Sequence, residues 1–231
     1  MLHNPHDVTE SLLLDSDNRI HTKYEKRQGI IEGTRWIVSL FPDCVIKTPR
    51  NPLRDRAKDL FNSHLSAIGL MQGYYNKNGY GPVPVPGMVL IPDKNRMVQE
   101  RIFGKRLSDL TDEEIFQLPP HTLQGLINLI SCSLEVSASR GILKDFPDLP
   151  GYNFDLPAPQ RLWHALRARR SINILIDDER SNVHFVDPDL YYSSCRSPLT
   201  IATAALMKRI AMFPSARRFR RQLEEALELR C

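Results

Sequence analysis

The sequence predicts an α+β protein of two lobes, a small β-rich one followed by a helical one. Three observations carry this. Residues 24–47 hold short apolar runs, GII at 29–31, TRWIVSLF at 34–41 and CVIK at 44–47, separated by Glu32–Gly33 and Pro42–Asp43. Runs of β-branched and aromatic residues broken by turn residues argue for an antiparallel meander. From Thr111 onward apolar residues recur at helical intervals, as on helices with one buried face. The 231 residues, 42% hydrophobic and 25% charged, suffice for one ample core or two small ones. The chain therefore divides into a polar N-terminal arm (1–22), a β-rich lobe (23–104) and a helical lobe (105–231).

Composition narrows the function classes. The net charge is +4 and its excess gathers in Arg-rich runs near Arg161–Arg170 and Ala216–Arg221. Each run reads first as a solvated helix face, ahead of a patch for nucleic acid or another anionic ligand. Cys44, Cys132, Cys195 and Cys231 are widely spaced with no CxxC pair, which argues against a zinc site or disulfide framework and for a reducing compartment. No apolar run reaches the roughly 18 residues that a membrane span needs, and MLHNPHDVTE lacks the pattern of a signal peptide. The expected location is the cytoplasm.

Residues 1–22 are polar with one apolar cluster at Leu12–Leu14, and read as a loosely held arm. In CVIK, Lys47 closes an apolar strand. A lysine there is costly unless it meets an anion, or else it marks the strand's wet end before TPRNP. Residues 53–76 form a helix by pattern, with Leu53, Ala57, Leu60, Phe61, Leu65, Ile68 and Met71–Tyr74 on its apolar positions. A Gly- and Pro-rich connection over 79–92 leads into a hairpin, MVLIP and RMVQE across the polar turn DKN. Thr111 and Glu114 form a capping-box pair opening a short helix that ends at Pro119–Pro120. An amphipathic helix over 121–140 follows, ended by Gly141, with Cys132 as a buried small hydrophobe. Helices are also expected at 199–213 and 215–230.

The chemistry gathers in 141–190. GILKDFPDLPGYN holds Asp145, Asp148 and Asn153, and Asp148 stands four intervening residues before Asn153. After an Arg-rich helical segment, INILID and VHFVD form a hairpin across DERSN, and Asp187 closes its second strand in VDPDL. A carboxylate at the end of an apolar strand puts charge at a cleft mouth, where a divalent cation can neutralise it. The plainer alternative is an Asp-Pro turn. His184 reads as packed or solvated.

In this order, the strand lysine, helix, hairpin, helix, Asp-loop and acidic hairpin resemble the protein kinase-like superfamily, in its compact bacterial and small-molecule branches, over about residues 24–195. The resemblance implies a two-lobed kinase-like fold whose first lobe binds nucleotide, with ATP and Mg²⁺ as cofactors. Gly33 would lie in the phosphate loop and Lys47 would hold the α- and β-phosphates. Glu100, Arg101 and Ile102, in the hinge-like MVQERIFGKRLSDL, would line the adenine edge. Asp148, with Asp145 as rival, would orient the acceptor hydroxyl, of a protein or a small molecule. Asp187 with Asn153, or in second place Asn173, would hold the metal. Asn173 in INILI matches the asparagine of the N-I-L-V that follows the family's catalytic loop, but position 168, five residues earlier, is Ala.

The sequence departs from the family in three places. Gly29 and Gly33 are a sparse phosphate loop, in which Arg35 could substitute for backbone contacts. No His-Arg or His-Gly pair precedes the Asp-loop. No Glu occurs between Lys47 and Glu100, where the family's helix pairs one with the strand lysine; Asp55 and Asp59 are shorter substitutes. These departures keep open a catalytically weak or inactive pseudokinase, acting as a nucleotide- or partner-binding module.

Overall fold

Alternating apolar positions build the first sheet. The structure, a computed structural model, describes residues 8–14, 20–26, 28–32, 36–53, 56–139, 173–179, 181–188 and 213–230. It is α+β, in two compact units: Met1–Asn62 with Pro86–Ile102, and Ser63–Val85 with Phe103–Cys231. The helices predicted at 199–213 and in the Arg-rich segment lie outside the described residues, as do Gly141 and Asp55.

In the first unit, strands β1 (Val8–Leu14) and β2 (Ile20–Lys26) form an antiparallel hairpin in which Val8 faces Lys26 and Leu14 faces Ile20. Residues 8–14 and 20–22 of the segment expected to be a loosely held arm are therefore strand. Polar side chains hide the pattern here, but a paired strand needs only its backbone groups and residues that tolerate extension.

The main sheet has the order β3-β4-β5-β7-β6, all antiparallel, with β3 at Gly29–Glu32, β4 at Trp36–Leu40, β5 at Cys44–Pro49, β6 at Met88–Ile91 and β7 at Arg96–Glu100. Each face has its own apolar cluster, as a period of two requires. Phe41, Cys44, Ile46 and Val98 pack on one face. Trp36 and Met97 on the other pack with Ala57 and Leu60 of helix α1 (Ala57–Asn78). Lys47 lies on this second face, paired with Val38 on one side and Met97 on the other.

The β6–β7 turn also starts α1. One turn of 3₁₀ helix at Pro92–Lys94 ends in Asn95, which takes a left-handed conformation at φ 49°. The Asn95 side-chain Oδ1 accepts the Ala57 N–H at 2.8 Å, satisfying one of the donors that a helix start leaves open.

In the second unit, α1 presents His64, Ala67, Met71 and Tyr75 as one buried stripe. Two of the positions expected on the apolar face are corrected: Leu65 is 47% exposed and Leu53, before the helix, is 99% exposed. The expected Ala57, Leu60 and Met71 are buried, and a histidine and an alanine, His64 and Ala67, continue their face where Leu65 does not. Helix α2 (Asp112–Phe116) carries both bonds of the predicted capping box, Glu114 N–H to Thr111 Oγ1 at 3.1 Å and Thr111 N–H to Glu114 Oε2 at 2.7 Å. The backbone and hydroxyl of Thr111 hold the Glu114 carboxyl below its ordinary range.

Helix α3 (Pro120–Ser139) starts on a proline, which suits a first helical position. Leu123, Leu126, Leu129 and Ile130 of α3 join the core of this unit, with Phe213, Phe219 and Leu223 of helix α4 (Phe213–Glu228). No helix among the described residues is long and apolar enough to cross a membrane.

The second unit also holds an antiparallel three-stranded sheet, β8 (Gly104–Arg106), β9 (Ile174–Asp177) and β10 (Val183–Phe185), in the order β10-β9-β8. Ile174, Ile176, Val183 and Phe185 are buried in the core. This hairpin carries the candidate site.

Candidate functional site

A hairpin positions an end residue only as well as its own strands are anchored. Here three main-chain anchors hold β9–β10 beside the buried side chains. Phe185 N–H donates to Pro84 O at 2.7 Å and Asp178 N–H to Phe103 O at 3.1 Å. At the turn, where Ser181 takes φ 53°, its carbonyl accepts the Thr122 hydroxyl of α3. The turn end is also closed by Asp177, whose carboxylate accepts Asn182 N–H at 3.2 Å and bonds His184 Nε2 at 3.1 Å. His184 thus serves the hairpin's own turn, as its packed or solvated reading implies.

At the opposite end the strands stay paired for one residue beyond β10. Val186 N–H donates to Asn173 O at 2.9 Å. Asn173 and Asp187 therefore stand together at one end of the hairpin, both half-buried, with Pro188 buried behind. Thirteen residues separate them in sequence, and the pairing removes that distance.

The Asp187 carboxylate meets a residue that the sequence reading did not single out. His64 Nε2 lies 2.7 Å from Asp187 Oδ1, with side-chain exposures of 2% for the histidine and 30% for the aspartate. An ionised carboxylate can only accept, so to an ionised Asp187 it is Nε2–H that donates. Burying an imidazole costs free energy unless its polar atoms are bonded, and a bond to a charged acceptor is among the stronger kinds. The signal that could have found His64 is its place in the Leu60, Ala67, Met71 stripe of α1, where a polar residue needs a reason.

The remaining predicted residues divide as follows. Lys47 is buried at 6% exposure in β5, so it does not mark a wet strand end. Glu100 is exposed at the end of β7; its N–H donates to Gly87 O at 2.8 Å and its carboxylate accepts Gly87 N–H at 3.2 Å. Arg101 N–H donates to Asp43 O at 3.2 Å, and Ile102 is half-buried. Asp59 is exposed in the first turn of α1. Gly33, Arg35, Asp145, Asp148 and Asn153 lie outside the described residues.

Among the described residues no group of three or more His, Cys, Asp and Glu side chains could hold a metal. A closed zinc site of nitrogen and sulfur ligands is therefore not built there. One carboxylate and one amide oxygen instead fit a hard cation such as Mg²⁺, which takes one or two carboxylates and completes its shell with water and substrate phosphates. Cys132 is not a nucleophile candidate: burial pushes its thiol up to about 12, and its Sγ lies 3.8 Å from Met71 O. A concavity of about 410 Å³ opens between Tyr74, Asn128 and Arg220, and none of the predicted site residues lines it.

The sequence matches no protein-family model and no curated protein.

Proposed function

We propose that the protein is a kinase-like phosphotransferase, using ATP and Mg²⁺ to move a γ-phosphoryl group to a hydroxyl of a protein or small molecule. The observation that carries the reading is the Val186–Asn173 bond, which brings an amide and a carboxylate to one end of a buried hairpin. It favours Asn173 over Asn153 as the metal asparagine. Further support comes from a five-stranded antiparallel sheet with α1 inserted between its central strand β5 and edge strand β6. Kinase-like first lobes are built this way, with the phosphate-binding lysine on the strand where Lys47 lies.

In this reading Asp187 and Asn173 hold Mg²⁺, which when bound offsets the negative charge of the phosphates. Lys47 supplies a fixed positive charge to the phosphates, and its burial strengthens that attraction by lowering the local dielectric. The main-chain N–H groups of Glu100 and Arg101 are engaged by the Gly87 and Asp43 carbonyls, so of the three hinge residues Ile102 is left to donate a main-chain N–H to adenine in this reading. Asp148, or Asp145, orients the acceptor hydroxyl, as the resemblance implies.

A thermal-shift assay tests this. ATP with Mg²⁺ should raise the melting temperature of the wild type, and Asp187→Ala should lose the magnesium-dependent part. A wild type that shifts with neither ATP nor Mg²⁺–ATP would overturn the reading.

A second reading, a nucleotide-binding module with little or no turnover, is favoured by one observation. Helix α1 offers His64 to Asp187, and no glutamate occurs anywhere between Lys47 and Glu100. Transfer of labelled γ-phosphate to water or to acceptor mixtures separates the two: binding without transfer selects the module.

A further inference from the structure

We infer that His64 is a positioning residue for the metal carboxylate, so that α1 sets the rotation of Asp187 through an imidazole. This rests on the phosphotransferase reading above and adds to it a residue that the kinase-like resemblance does not supply. Asp187 follows β10 by two residues, so its backbone is held by the Val186–Asn173 bond while its carboxylate can still turn about the side-chain torsions. His64 Nε2, at 2.7 Å from Oδ1, stops that turning.

The histidine is itself rigid. Its side chain is 2% exposed, in a stripe whose neighbours Ala67 and Met71 are fully buried in the core of the same unit. A donor fixed by packing and bonded to a metal-binding carboxylate orients that ligand before the cation arrives, and loss of such a partner typically weakens metal binding about 10- to 100-fold.

Reach distinguishes this role from mere packing. In His64→Gln the amide nitrogen sits about where Nε2 was, whereas in His64→Asn it stops at the distance of Nδ1 and falls short of Asp187. The measurement is the affinity of the full chain for a non-hydrolysable ATP analogue, with and without Mg²⁺, by calorimetry. In wild type Mg²⁺ should tighten binding. His64→Gln should keep that gain within about threefold, and His64→Asn should lose about tenfold or more of it. The magnesium-free affinity should be the same in all three, which a general loss of structure would not allow.

If the wild type binds the analogue with a magnesium gain and the Gln and Asn variants keep or lose it alike, the positioning role is overturned while the phosphotransferase reading stands. If the wild type binds no analogue, that reading falls and this inference with it. Should His64→Asn fail to fold, His64→Met, with the length of Gln and no donor, takes its place under the same criteria.

Discussion

Gly104 shows how a single residue sets the sheet that carries the candidate site. It pairs with Asp177 across β8 and β9, and a Cβ there would lie 2.0 Å from the main-chain oxygen of Ile176 and 2.7 Å from its carbon. Both atoms belong to backbone, which a rotamer change cannot relieve. Gly104→Ala should therefore destabilise the protein by about 3 kcal/mol, the upper range for overpacking a close contact, read as a lower urea midpoint with an unchanged slope. A change under about 0.5 kcal/mol would mean that β8 can leave β9 at little cost. His64 and Asp187 make the complementary point. Asp187 was legible in the sequence because an apolar strand running into a carboxylate is a local pattern. His64 was not, since the two residues are 123 positions apart and nothing near His64 hints at a carboxylate.

Among elements, α1 joins the most consequences. Its start depends on Asn95, which bonds the Ala57 N–H and also occupies a left-handed turn position. These two roles can be separated by substitution. Asn95→Ala should lose the cap and strain the turn, costing about 2 kcal/mol in all, whereas Asn95→Gly should keep the turn and cost about half as much. Equal losses by chemical denaturation would show that the turn conformation contributes nothing. Capping was legible where its partners are close in sequence, as for Thr111 and Glu114, and invisible where a turn 38 residues away supplies the oxygen. The face of α1 was legible at Ala57, Leu60 and Met71 and misread at Leu65, which is exposed while His64 and Ala67 are buried.

At the scale of the whole molecule, the second unit holds groups that keep their protons to higher pH than the unfolded chain does. Burial raises the Cys132 thiol from an ordinary 9.0 to about 12. Burial, with the neighbouring Tyr80, raises the Tyr74 phenol from 10.0 to about 12, and burial raises Tyr75 in the same direction. The folded state holds these protons to higher pH than the unfolded state does, so the stability that they contribute is fully present below about pH 9. It should be lost as the pH climbs from there towards 12. Melting temperatures measured from pH 7 to 11 should be flat at first and fall above about pH 9, and Cys132→Ala should delay the onset of the fall. An unchanged onset in that variant would remove the thiol from this account.

The α+β class, the hairpins 88–100 and 174–185, the capping box and the acidic strand end could all be read from the chain, because each is written by residues within a few positions of one another. Backbone pairing and side-chain burial follow local periodicity, and local periodicity is what a linear sequence preserves. The β1–β2 hairpin escaped because its polar residues carry no such period. The company that Asn173, Asp187 and His64 keep came from three-dimensional packing alone. Val186 reaches Asn173 only once β9 and β10 are paired, and His64 reaches Asp187 only once α1 has turned its histidine inward. Contacts between distant segments depend on which faces the core takes up, a choice made by the free energy of the whole unit and carried by no short stretch of residues.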